Sequence, residues 1–218
     1  MKKILFFISF CGIIPFKSIA QDKPVLPVFD KTIENNQSVD WLVHPISTKA
    51  GVFTSADKKD IILYNGLVRR TFRISPNIAC IDYTNLTTNQ QLIRAVSPEA
   101  KITIDGKEYN VGGLNGQKEK AYLLPEWVDK MEVGKEDFVF VNYTISEIKP
   151  YINWKPNNWA MNKKQATGKL LVFEYASSNS EMKGLKVKVN YELYDGLPLI
   201  TKRLVCLKFI LIKLLELS

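Results

Sequence analysis

From residue 60 onward the chain alternates apolar and polar side chains with a period of two, broken at short intervals by Gly, Asn and Asp. That rhythm predicts β-strands with one buried face, joined by tight turns. Residues 61–64 form an apolar run that stops at Asn65-Gly66, a dipeptide whose members both tolerate positive φ. Beyond it, Val68, Arg70, Phe72 and Ile74 fall on one side and Leu67, Arg69, Thr71 and Arg73 on the other. The two runs read as a hairpin. A second hairpin spans 101–111 about an Asp105-Gly106 turn. Counting back from that turn sets Ile102 opposite Tyr109, with Ile104 and Val111 on the same face and Thr103, Glu108 and Asn110 toward water. A third alternating run, 185–193, places Leu185, Val187, Val189, Tyr191 and Leu193 together and ends at an Asp195-Gly196 turn.

Other signals are sparse. Residues 21–59 are polar and broken by Pro24, Pro27 and Pro45. They read as an irregular lead-in arm, pinned to its neighbour by Trp41 and Phe53. One or two helical turns are expected at 125–131, with Pro125 in the first turn, and a further short turn at 91–95. Neither βαβ spacing nor an internal repeat nor a long low-complexity linker is visible. The pattern as a whole predicts an all-β, sandwich-type domain over residues 60–202.

Both ends depart from this pattern. Residues 1–20 carry Lys2 and Lys3, then an apolar run, then Ser18-Ile19-Ala20, the layout of a secretory signal cleaved before Gln21. The apolar run is shorter than the about 20 residues a membrane span needs, and Phe10 before Cys11 disfavours lipidation. A secreted or periplasmic location follows, with no membrane attachment after cleavage. Residues 203–218 show neither alternation nor a turn, and are built almost wholly from Leu, Ile and Lys. Three explanations stand for this aberrant apolar tail: an amphipathic helix, a strand with a frayed end, or coding sequence in a lost reading frame.

Charge changes the picture little. The formal net charge is +8, but three of the lysines leave with the signal and the tail carries a further +2. The body is left near +3, without a Lys/Arg block, so nucleic acid is not an expected partner. Cys80 and Cys206 remain after cleavage. An oxidising compartment permits their pairing, while a buried free thiol is the expected state of Cys80.

His44 is the only histidine, so a Ser-His-Asp or Cys-His device would have to use it. It precedes Pro45 in the arm and reads as a surface residue. His/Cys/carboxylate clusters of metal-site spacing are absent, and neither a metal nor a cofactor is expected. Gly112, Gly113 and Gly116 lack the context of a phosphate loop and read as a flexible turn. Paired carboxylates for glycoside hydrolysis lie roughly 5–9.5 Å apart. Asp82, Glu99, Glu126, Glu192 and Asp195 are the candidates, but each has a structural role that is the expected one, and no catalytic residue is assigned. Tyr151, Trp154 and Trp159 lie in a Pro/Asn-rich segment, with Tyr122 and Trp127 upstream. Sugars present apolar C–H faces that stack on such rings, which makes Tyr151, Trp154 and Trp159 candidate carbohydrate contacts. Core packing is the alternative use of these rings.

Four strings carry a resemblance. They are residues 65–72 (NGLVRRTF), 92–100 (LIRAVSPEA), 104–114 (IDGKEYNVGGL) and 191–200 (YELYDGLPLI). Together they make residues 40–202 similar to the N-terminal region of exported bacterial α-galactosidase-like (melibiase-like) glycoside hydrolases. The resemblance implies a β-sandwich of galactose-mutarotase-like supersandwich type, preceding a (β/α)₈ barrel that holds two catalytic Asp. No position here matches the barrel motifs. The chain then reads as a non-catalytic, truncated fragment with an incomplete sandwich, its frame lost after about Lys202. The alternatives are a free-standing carbohydrate-binding module and an envelope structural protein without a sugar ligand.

Overall fold

The computed structural model describes residues 24–34, 40–119, 121–152 and 165–208. The leader 1–20 and residues 209–218 of the tail lie outside them. The expected all-β architecture is present, as two antiparallel sheets packed face to face and a separate hairpin.

The first sheet grows from the Asn65-Gly66 turn. β2 (Asp60–Tyr64) and β3 (Val68–Arg73) pair across it with Tyr64 opposite Arg69. Asn65 is fully buried. Its side-chain oxygen accepts the N–H groups of Leu67 and Val68, both at 3.0 Å. Its amide donates to the carbonyls of Tyr194 and Leu197, both at 2.7 Å, which ties this turn to the Asp195-Gly196 turn. Every polar atom of the side chain is thus matched, as a buried amide requires.

β1 (Gly51–Thr54) adds to the free side of β2, and β4 (Ala79–Asn85) followed by β5 (Gln90–Gln91) to that of β3. Two expectations are corrected here. The segment 21–59 is not irregular throughout, because Val52 and Thr54 find partners in Leu63 and Ile61. Phe53 does pin the arm, through edge-to-face contacts with Phe29 and Tyr64. The turn expected at 91–95 is not helical: Gln91 pairs with Thr84 and the following residues run irregularly.

The second sheet is a four-strand meander of β8 (Val139–Glu147), β9 (Gly168–Ala176), β10 (Leu185–Tyr194) and β11 (Ile200–Lys208). Four of the five residues on the predicted face of β10, Val187, Val189, Tyr191 and Leu193, are entirely shielded from water, and Leu185 at its start is partly buried. β11 pairs with β10 from Ile200 through Lys208 without a register shift. The strand therefore continues six residues beyond Lys202, and Arg203–Lys208 is strand rather than helix.

The hairpin of β6 (Ala100–Ile104) and β7 (Lys107–Val111) has the expected register, Ile102 opposite Tyr109. A single helical turn, α1 (Pro125–Val128), follows at the expected place. Phe72, Phe173 and Tyr191 meet in the space between the sheets, with ring centroids 4.9–6.1 Å apart. Full burial of such side chains contributes about 1.5–3 kcal/mol each, so this aromatic group joins the sheets more firmly than any surface pair. Gly113 is packed rather than flexible: its N–H donates to Ile78 at 2.6 Å and its backbone abuts Pro98.

Candidate functional site

The register between β10 and β11 assembles a polar and aromatic patch on the outer face of the second sheet. Leu193 opposite Ile200 sets Glu192 against Thr201 and Asn190 against Arg203. Glu192 is buried, and its Oε2 accepts hydrogen bonds from the Tyr194 hydroxyl at 2.7 Å and from Thr201 at 3.2 Å. Burial, then the bond to Glu192, pushes the Tyr194 hydroxyl above its ordinary range. Arg203 lies 3.8 Å from the other oxygen of Glu192. Its guanidinium also sits 4.5 Å from the ring centre of Tyr151, just past the end of β8.

Tyr151 is 65% exposed. Its ring is therefore oriented by Arg203 yet still presents most of its surface to solvent, a cation–π arrangement of about 0.5–1 kcal/mol at an exposed site. An exposed ring beside a part-exposed guanidinium supplies the two things a saccharide contact uses, a face for C–H groups and a donor for hydroxyls, while the shielded Glu192 carboxylate stands behind the guanidinium. Two residues singled out separately in the sequence, Tyr151 and Glu192, are thus brought together through Arg203. Trp154 and Trp159 lie outside the described residues.

The remaining candidate carboxylates are scattered and engaged. Glu99 is 3% exposed in the interior. It accepts the Cys80 N–H at 3.0 Å and the Tyr191 hydroxyl, and lies 3.1 Å from Lys202. Arg70 stands nearby over the rings of Phe72, Tyr83 and Tyr191. Asp195 braces its turn. Partial burial opposes its ionisation, but bonds from Thr167 and the Ala50 N–H, with the charge of Lys49, hold its carboxyl below the usual range. Asp82 pairs with Arg69 at 3.0 Å. Glu126 lies in the first turn of α1.

His44 is exposed in the arm. Cys80 and Cys206 are both free, the first buried and the second exposed, so they do not pair. Among the described residues no group of three or more His, Cys, Asp or Glu is arranged to hold a metal. Nor does any described helix have the length and hydropathy to cross a membrane.

Sequence reasoning missed Arg203 and Thr201. In the sequence Arg203 falls with the aberrant tail, because its neighbours do not alternate in polarity. The signal that finds it is the turn: Asp195-Gly196 and the run 185–193 together fix which residue stands across from Asn190. Neither a family model nor a curated protein matches this chain.

Proposed function

We propose that the chain is the sandwich domain of an exported glycoside hydrolase of α-galactosidase-like type, acting in the secreted or periplasmic space. In this reading it contacts carbohydrate and leaves bond cleavage to a separate barrel. The observation that carries it is the Tyr151 patch, an exposed ring held by Arg203 beside the shielded Glu192. Two further features favour it. The all-β sandwich is the architecture that the resemblance implies, and Glu99, Glu192, Asp195 and Asp82 each have structural partners that a general acid or nucleophile would have to give up. The reading also makes the supersandwich incomplete. β11 is an outermost strand, and its inward-pointing Leu204 and Cys206 remain exposed.

The test is binding of neutral α-galacto-oligosaccharides by the purified chain, followed by affinity electrophoresis or calorimetry. Binding is expected, and Tyr151→Ala weakens it about tenfold, a change of about 1.4 kcal/mol. Arg203→Ala weakens it less, since it releases the ring without removing it. Retention unaffected by Tyr151→Ala, or no retention at all, overturns the reading. Release of the aryl group from an aryl α-galactoside by the pure chain would overturn its non-catalytic part.

A further inference from the structure

A concavity that shares no residue with the Tyr151 patch lies where the irregular segment after β5 meets the loop that follows β7. It has a volume of about 510 Å³ and is lined by Arg94, Val96, Gln117, Lys118, Glu119 and Tyr122 among others, within the range of pockets that hold small ligands. Its walls are cross-braced. The side chain of Gln117 accepts the Val96 N–H at 2.9 Å and donates to the carbonyls of Arg94 and Ala121 at 3.2 and 2.9 Å. The Leu123 N–H donates to the same Arg94 carbonyl at 2.9 Å. One amide thus fixes both loops, so the pocket exists before any ligand arrives and binding costs little ordering.

Its charges are what set it apart. Arg94 lies 5.3 Å from the ring centre of Tyr122, and Lys118 lies 5.2 Å from that of Trp127. Among the described residues neither cation has a carboxylate within ion-pair distance. A groove of about 350 Å³ on the outer face of the first sheet differs in this respect. There Arg69 is paired with Glu34 and Asp82, and Arg73 with Asp60 and Asp129. Those guanidinium charges are already neutralised, whereas Arg94 and Lys118 outweigh the single carboxylate of Glu119. Tyr122 adds an aromatic surface that is 64% exposed.

We propose that this pocket binds an acidic saccharide, a sugar unit bearing a carboxylate or a sulfate. The apolar face of the ring rests on Tyr122, and its anionic group lies toward Arg94 and Lys118 and away from Glu119. The proposal deepens the carbohydrate reading above and rests on it, but uses different residues and a different ligand charge.

The experiment titrates the intact chain with oligogalacturonate, a sulfated galacto-oligosaccharide and a neutral galacto-oligosaccharide, at low and high salt. At least one acidic ligand is expected to bind, more weakly as salt screens the attraction. Arg94→Gln and Tyr122→Ala should each reduce that binding about tenfold, with Lys118→Gln a smaller loss and Tyr151→Ala no change. Binding of the uronate alone assigns a carboxylate ligand, and of the sulfated sugar alone a sulfate. The proposal fails if neither acidic ligand binds, or if Tyr122→Ala and Arg94→Gln leave acidic binding intact. It fails as well if the neutral sugar binds here as tightly, shown by a loss in Tyr122→Ala but not in Arg94→Gln. Neutral binding that responds to Tyr151→Ala but not to Tyr122→Ala or Arg94→Gln supports two separate sites, with this one reserved for the acidic ligand.

Discussion

At Cys80 burial and a neighbouring cation act in opposite directions. Desolvation pushes the thiol up, the Arg70 charge pulls it down, and burial prevails, leaving it at about 11 against an ordinary 9.0. Between these pH values an unfolded chain releases a proton that the folded chain keeps. The unfolded state binds fewer protons there, so stability is complete below about pH 9 and falls as pH rises, by about 2 kcal/mol once pH reaches 11. Tyr175 and Tyr191 have their hydroxyls raised above 10.0 by burial and then by the Glu99 charge, so the loss continues at higher pH. Urea midpoints measured across pH should be level to about pH 8.5 and decline beyond it. Cys80→Ala should remove the earliest part of the decline. A midpoint that stays level to about pH 11 in the parent chain would show that the thiol is not shielded as described.

Among the elements, those whose turn and face were both written in adjacent residues were the ones legible from sequence. Asp105-Gly106 gave away the β6–β7 register because positive φ at both positions, 49° and 80°, leaves one way to close the hairpin. β10 was legible because its buried apolar side chains all stand on one face, although Asn190 and Glu192 on the other are covered as well. β1 was not, since four residues carry too little pattern and its pairing with β2 is set by the arm packing on Phe29. β8 and β9 were obscured differently: β8 shifts register between Phe140 and Asn142, and β9 is apolar on both faces through Leu170 and Val172. The candidate site divides the same way. Tyr151 and Glu192 stood out by residue type, but their meeting depends on Arg203 in a strand recognisable only through pairing. Two glycines test this view of turns and packing. A Cβ at Gly106 would meet nothing within 4 Å, so Gly106→Ala pays only for its backbone angle, about 1 kcal/mol. At Gly113 the φ of 83° is joined by a Cβ position 2.7 Å from the Cα of Pro98. Gly113→Ala should therefore lose about 3 kcal/mol or more in equilibrium unfolding. Equal losses in the two variants would mean that the crossing at Pro98 yields.

Among the described residues the sandwich has one margin left unguarded. The four-stranded sheet ends in β8 on one side and β11 on the other. β8 carries a register shift at Val141, an irregularity that spoils an edge for pairing with another chain. β11 has no such break over its nine residues. It also exposes Leu204 and Cys206 on the side facing the first sheet, where a closed sandwich would cover them. Lys202, Arg203 and Lys208 supply some repulsion between copies, but all lie on the same strand as the apolar surface they would have to guard. The balance favours edge-to-edge association through β11. Light scattering at rising protein concentration should therefore report self-association. Leu204→Lys should suppress it by adding charge at the strand centre, and Val141→Lys at the interrupted edge should change little. Under non-reducing conditions the associated form should include a covalent dimer, which Cys206→Ser removes without dissolving the non-covalent one. If Val141→Lys suppresses association as strongly as Leu204→Lys, the vulnerable margin is not β11 alone, and the β8 edge takes part despite its register shift.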